Sequence, residues 1–393
     1  RKPFDADKQL IFAQVKGSYG DHREKWTPSA TFLFSDVWET NAGKFGFLLS
    51  ASDSNYEDRG DGVGIDNYFE RSATAAEIES FGDSGTALPD YPNDTLFVPA
   101  SVAIRTADST RDRTGFSSSV QWESPDETTM VTVEYIKSMA ERGWNERVVQ
   151  YGEQPHIYNP NSTVVVDANF DDAGFMTSGE TYTPFLNPAT RINRVESDID
   201  DVSVHLTYQP NDSLRFDADY QHISSTNKVV DRTYSTRMEP SMASWYASDG
   251  ITRPAERVIN TGVAWDLTGS LPDNINYTGD TLNPQFPENV YLKSKMDYEE
   301  DNEAESDSIA LDIEYTLADG WVSKIKTGLY ASHKTQIARE SDWNWQSLSS
   351  PWAASPFATS QLYRPDLFET FTFNQSDFFG GGVLNGDQSF YFP

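Results

Sequence analysis

The chain of 393 residues carries 61 acidic and 30 basic side chains, a net charge of −31, and no cysteine. That charge argues against a general nucleic-acid binder, which needs a basic footprint to displace counterions from phosphates; the missing thiols exclude a disulfide framework, a thiolate metal site and a cysteine nucleophile. No stretch reaches the ~18 consecutive apolar residues of a membrane-crossing helix, while 23 Phe, 19 Tyr and 10 Trp are too many for a disordered acidic chain.

Taken in chain order, period-two alternation predicts strands at roughly 8–20, 29–39, 44–58, 100–123, 129–144, 195–209, 214–228, 307–318 and 321–336. Phe45, Phe47 and Leu49 share one face early in the chain, and Val131, Val133 and Tyr135 do so later. Val202, Val204, Leu206 and Tyr208 lie opposite Asp201, Ser203, His205 and Thr207. Leu214, Phe216, Ala218 and Tyr220 lie opposite Arg215, Asp217, Asp219 and Gln221, and Ile309, Leu311 and Ile313 opposite Asp312 and Glu314. A soluble sandwich shows the same alternation, with one face packed and one wet.

The connections separate the two architectures. Short turns are expected at Thr40-Asn41-Ala42-Gly43, Pro125-Asp126-Glu127, Pro210-Asn211-Asp212 and Ala318-Asp319-Gly320, whose residues tolerate tight turns. Between them run long polar links near 59–99, 145–194 and 229–306, with another after Gln336; only the connection near 21–28 is short where a long one is expected. Such links are rare in a compact soluble domain, whereas a bacterial outer-membrane barrel has short turns at one rim and long loops at the other. Trp38, Trp122, Tyr208 and Trp321 each lie within a few residues of a short turn, as an interfacial girdle requires. The predicted fold is therefore all-β, an antiparallel up-and-down transmembrane β-barrel with long extracellular loops. Arg215, Asp217, Asp219, Asp312, Glu314 and Lys324 are expected to line its lumen.

Several motifs carry a family resemblance. Arg1-Lys2-Pro3-Phe4-Asp5, Phe34-Ser35-Asp36-Val37-Trp38, Gly43-Lys44-Phe45-Gly46 and Ser50-Ala51-Ser52-Asp53 resemble the plug exit and first barrel hairpins of TonB-dependent outer-membrane receptors, especially their carbohydrate-associated branch. Beyond about residue 60 the resemblance is architectural. It implies a partial barrel, about nine strands of about 22, in the bacterial outer membrane. Residues 1–7 would leave an N-terminal plug, 8–340 would form barrel strands and 341–393 would begin an incomplete extracellular loop region. The implied activity is active transport of a bulky nutrient, an oligosaccharide before a ferric siderophore. The implied partners are TonB, through the plug segment, and outer-membrane lipid. The alternatives are a secreted β-rich carbohydrate-binding protein or glycosidase, and a passive porin or adhesin barrel.

Catalytic and metal chemistry finds little purchase. His22, His156, His205, His222 and His333 form no His-x-x-x-His pair, and there is no Gly-x-Ser-x-Gly elbow or phosphate-cradling loop, so no catalytic residue, metal or cofactor is expected. Carboxylates are too abundant for spacing to single out a glycosidase pair. Asp297-Tyr298-Glu299-Glu300-Asp301-Asn302-Glu303 lacks the calcium-loop spacing and reads as a solvated loop face; Asp58-Arg59-Gly60-Asp61-Gly62 reads as turn chemistry on a loop. The aromatic clusters Trp245-Tyr246 and Asp342-Trp343-Asn344-Trp345, with Trp352, are candidate ligand-binding residues. Sugar rings stack their C–H faces on aromatic planes while Asp and Asn exchange hydrogen bonds with hydroxyls. Packing of the long loops against each other is the simpler role for any one of them.

The face assignment predicts an asymmetry. Arginine at Phe216 or Ile313 should impair membrane assembly, at ~2 to 4 kcal/mol for charge at lipid depth, while arginine at Asp217 or Asp312 should be far milder. The folded fraction recovered in membranes measures it; equal tolerance at both sets would contradict the orientation.

Overall fold

The computed structural model describes residues 2–5, 8–65, 68–72, 95–99, 101–151, 164–183, 186–238, 261–278, 290–317, 321–348 and 367–393. Strands account for nearly all of the regular structure. In chain order they are β1 (Leu10–Gly20), β2 (Lys25–Thr40), β3 (Gly43–Ile65), β4 (Tyr68–Ser72), β5 (Thr95–Pro99), β6 (Val102–Glu123), β7 (Thr129–Tyr151), β8 (Val164–Phe170) and β9 (Met176–Thr183). There follow β10 (Leu186–Asn211), β11 (Leu214–Met238), β12 (Thr261–Asp266), β13 (Asp273–Thr278), β14 (Val290–Thr316), β15 (Lys324–Ile337), β16 (Asn344–Ser347), β17 (Glu369–Phe373) and β18 (Gln388–Phe392). Among the described residues no helix is long and apolar enough to cross a membrane.

One antiparallel meander dominates, in the order β1-β2-β3-β6-β7-β10-β11-β14-β15, with β16 pairing β14 beyond the end of β15. Neighbours in the sheet are thus neighbours among the long strands, as short turns at one end dictate. Both β1 and β15 keep a single neighbour, so the sheet is open among the described residues.

The register places one kind of side chain on each face. A single row of partners runs Trp38, Phe45, Trp122, Val131, Leu206, Ala218, Leu311 and Leu329 from β2 to β15. The row beside it on the opposite face runs Val37, Gly46, Gln121, Thr132, His205, Asp219, Ala310 and Tyr330, small or polar in the main. Burial is inverted relative to a water-soluble sheet. Val120 is 46% exposed where its neighbour Gln121 is 3%, and Val133 is 41% exposed where Thr132 is 1%. Leu206, Ile309, Leu311, Ile313 and Leu329 are likewise exposed. Among the described residues no second sheet covers this apolar band. Large contiguous apolar surfaces of this kind mark a face that meets a partner or an apolar medium.

Aromatic and titratable side chains mark the limits of the band. At the short-turn end Trp38 stacks on Phe45 at 6.3 Å and Tyr208 on Phe216 at 6.1 Å, and Trp122 donates its indole N–H to the Ala42 carbonyl at 2.9 Å. Three of the four girdle residues expected from the sequence thus share one face and one end; Trp321 stands outside any strand, 98% exposed. At the other limit the Tyr135 hydroxyl donates to Asp200 at 2.5 Å and Tyr220 to Asp307 at 3.0 Å. Asp307 lies between His222 and His333 in one row, and Lys137 pairs with Asp198 and Asp200. Past this line the same face is charged.

The strands overrun the lengths expected of them. Residues 59–65, 145–151, 186–194, 229–238 and 290–306, expected in loops, continue β3, β7, β10, β11 and β14. Alternation is weak where these extensions begin, because both faces are polar there, but cross-strand charge still pairs them. Asp297–Glu303, expected as a solvated loop, is mid-strand in β14, where Arg232 of β11 reaches Glu299 at 2.9 Å and Arg339 reaches Glu303 at 3.1 Å. Asp58-Arg59-Gly60-Asp61-Gly62 is strand rather than turn, with Arg59 donating to Thr106 of β6 at 2.8 Å. The strand expected from 321 begins at Lys324. The turn Ala318-Asp319-Gly320 lies outside the described residues.

A dry core forms only at the far end from the short turns. There Ile104, Val149, Leu186 and Met238 pack with Trp265 and Ile275 of the β13-β12-β9-β8 sheet and with Phe373, Phe390 and Phe392 of the β17-β18 hairpin. The segment 341–393, expected as the start of a loop region, therefore contributes a strand to the main sheet and a hairpin to this core.

Near the short-turn end, Pro3–Asp5 forms one 3-10 turn lying on the polar face. The Phe4 amide donates to Gln121 Oε1 at 2.8 Å, and Gly46 leaves the space that Pro3 and Phe4 fill. A Cβ at Gly46 would stand 2.5 Å from Pro3 Cβ and 2.8 Å from the Phe4 ring. Gly46→Val is therefore expected to displace residues 2–5, at a cost of ~1 to 3 kcal/mol of overpacking. Hydrogen exchange should show the Phe4 amide losing protection while the Thr40–Gly43 turn keeps its own.

Candidate ligand-binding cavity

The polar face carries ionic pairs along its whole length. Near the short turns, Asp217 accepts from Arg215 at 2.8 and 2.9 Å and from Thr207 at 2.7 Å, and His205 Nδ1 lies 2.5 Å from Asp219. Lys324 pairs with Glu314, which stands beside Asp312 in the alternation of β14. The six residues expected to line a lumen, Arg215, Asp217, Asp219, Asp312, Glu314 and Lys324, thus share this face.

Farther along the same face, where the strands overrun the apolar band, a cavity of about 720 Å³ opens over β6, β7, β10, β11 and β14. Arg191 of β10 faces Glu146 of β7 and Thr233 of β11 in the register. It lies fourteen positions from His205 on one unbroken strand, about 45 Å at ~3.3 Å per residue. The cavity is therefore well clear of the band.

Arg191 organises the site. Its Nε and Nη2 donate to the two carboxylate oxygens of Asp231 at 2.8 and 2.7 Å, and Asn193 donates to the same carboxylate at 3.0 Å. Asp231 is buried, so the pair is fixed in geometry and the guanidinium is held above its ordinary pKa by those hydrogen bonds. The guanidinium carbon lies 5.1 Å from the Trp144 ring centre and 5.3 Å from that of Trp343, within cation–π range.

β16 supplies the aromatic wall. Its pairing with β14 sets Trp345 opposite Met296 and Asn344 opposite Asp297, and Trp343 stacks on Tyr298 at 5.1 Å. Trp343 and Trp345 both line the cavity, with Gln346 beside them. Of the expected ligand-binding residues these two are brought together. Asn344 alternates to the other face, where the register sets it opposite Asp297; Asp342 is not part of the lining, and Trp245, Tyr246 and Trp352 lie outside the described residues. Glu146 and Arg191 fell outside the expected strands, which ended at 144 and resumed at 195; Arg105 and Trp144 stood within expected strands, but no local pattern marked them as facing a shared site.

A second cavity of about 510 Å³ lies near the β1–β2 turn, lined by His22, Arg59 and Asp377 among others. His22 Nε2 and Asp61 Oδ2 are 2.8 Å apart there. No group of three or more His, Asp or Glu able to hold a metal occurs among the described residues.

Under Trp343 the Tyr298 hydroxyl donates to Glu300 at 2.6 Å and lies 3.4 Å from Glu340. The carboxylate acceptor pushes the phenol up to about 12 from its ordinary 10.0. A folded-state pKa above the unfolded one means the contribution is fully present below pH ~10 and is lost as pH rises toward 12. The stability difference between wild type and Tyr298→Phe in urea unfolding should be constant up to pH ~10 and shrink above it. A difference that stays constant from neutral pH to pH ~12 would contradict the hydrogen-bond assignment.

No protein-family model, curated protein or solved structure matches the chain.

Proposed function

We propose that the chain forms part of the wall of a transmembrane β-barrel in a bacterial outer membrane, of the TonB-dependent receptor type, and that it serves active uptake of a bulky nutrient, an oligosaccharide before a ferric siderophore. The observation that carries this reading is the inverted burial: valines and leucines exposed on one face of a single sheet, glutamines and threonines buried on the other. Water is a poor solvent for that apolar face, at ~25 cal/mol per Å². Lipid satisfies it, and a wet lumen satisfies the polar face.

Closure into a full barrel and about 22 strands belong to the same proposal, as do the plug and its TonB contact. The docking of Pro3–Asp5 on the polar face supports a chain that enters from the lumen side. The cavity beyond the band, with Trp343 and Trp345, is where an external ligand would be captured before energised passage. Capture and passage break no covalent bond, so no catalytic residue, cofactor or metal is assigned.

The secreted β-rich binder and the passive porin make different predictions. In fractionated cells the intact product should sediment with outer membranes and need detergent for release; recovery in the soluble medium would eliminate the barrel. With the detergent-solubilised protein, replacing Trp343 and Trp345 together by alanine should weaken oligosaccharide binding about tenfold or more, read by calorimetric titration. Unchanged affinity would remove the cavity from the proposal.

A further inference from the structure

The lining of the cavity narrows its ligand. We propose that it takes an anionic glycan, one bearing carboxylate or sulfate groups, in preference to a neutral one; this rests on the glycan reading of the site given above.

In a chain with twice as many acids as bases, the cavity reverses the balance. Arg105, Arg191 and Lys293 line it against the single carboxylate of Glu146, among the described residues. With Asp231 behind Arg191 and Glu146 beside Arg105, each guanidinium meets a single carboxylate. A neutral sugar draws on carboxylate acceptors for its hydroxyl donors, whereas the two guanidinium groups offer donors alone. The one lining carboxylate is already engaged, since Arg105 Nη1 lies 3.3 Å from Glu146.

Both guanidinium groups have donors to spare. Arg191 uses Nε and Nη2 on Asp231, and its Nη1 has no protein partner among the described residues. The Arg105 side chain is 47% exposed and, among the described residues, makes its hydrogen bond and ion pair through Nη1 alone. Arg105 is on β6 and Arg191 on β10, with β7 between them. The lateral spacing is therefore ~10 Å at ~4.8 Å per strand, enough to meet charges on neighbouring sugar units. Trp343 and Trp345 supply planes for the C–H faces of the rings between such charges. The chain's overall negative charge does not forbid the fit, because repulsion from distant carboxylates is screened beyond ~8 Å at physiological salt and the nearest charges decide.

An anionic iron chelate shares this charge chemistry, so the test carries both. The full chain in detergent micelles is titrated with an acidic oligogalacturonate, a sulfated galactan oligomer, the methyl ester of the oligogalacturonate and a ferric catecholate chelate. At least one acidic glycan should bind tenfold or more tighter than the ester, with affinity falling as salt is raised. Arg105→Gln should lower that affinity about tenfold, and Arg105→Lys should retain most of it. An ester that binds as tightly as the acid, or affinity indifferent to both salt and Arg105→Gln, overturns the anionic preference and leaves the glycan site standing. Binding of the chelate with no glycan bound overturns the preference together with the sugar reading beneath it. The salt dependence of the wild type keeps the test decisive even where a variant fails to fold.

Discussion

The antiparallel hydrogen-bond ladder is the constraint on which everything else depends. Nine long strands pair in sequence order, and only two register shifts interrupt the long ladders, at Tyr208/Asn211 and Ser235/Thr236. The backbone groups are thereby satisfied within the sheet, and the two faces are free to meet different surroundings. Because the side-chain period is two, slipping one strand by one residue would send its apolar set to the polar face. The row from Trp38 to Leu329 records that no such slip occurs across the sheet.

Each face then changes character along the strand direction. The apolar face begins at stacked aromatics beside the short turns, continues through aliphatic rows, and ends where Tyr135 and Tyr220 offer their hydroxyls to carboxylates. Such side chains suit a boundary, since the ring is at home in hydrocarbon and the hydroxyl wants a polar partner. Beyond it, Lys137, Asp198 and Asp200 pair in the open, and farther still apolar residues return under the β17-β18 hairpin. One face of one sheet thus carries three kinds of surface along its length: exposed apolar rows, exposed charge and a buried apolar core.

The cavity exists because the strands outlast the band. Arg191, Trp144 and Thr233 stand on continuous β10, β7 and β11, which run straight out of the apolar region, so the site inherits the rigidity of the sheet. A bidentate pair with buried Asp231 fixes the guanidinium before any ligand arrives, which lowers the entropy cost of recognition. The aromatic wall comes instead from a short strand, Asn344–Ser347, pinned to β14 through backbone bonds, and from Trp343 just before it.

What the sequence determined by itself was the period. Leu206 beside Thr207 and Phe216 beside Asp217 specify a two-faced strand from the amino acids alone, and short turns such as that around Asp126 specify sequential antiparallel pairing. The sequence also singled out Trp343 and Trp345, because clustered tryptophans in a polar stretch are conspicuous. Tertiary structure decided which face is covered and where the strands end. Alternation is identical whether the apolar side meets a second sheet or nothing at all, and only the arrangement of the whole sheet shows Val120 open and Gln121 closed. The strand at Asp297–Glu303 was illegible because its charged side chains find their partners on β11 and beyond β15, which no local window contains. Arg191 escaped notice for the same reason, since Asp231, Trp144 and Trp343 are remote in sequence and meet it only across the ladder.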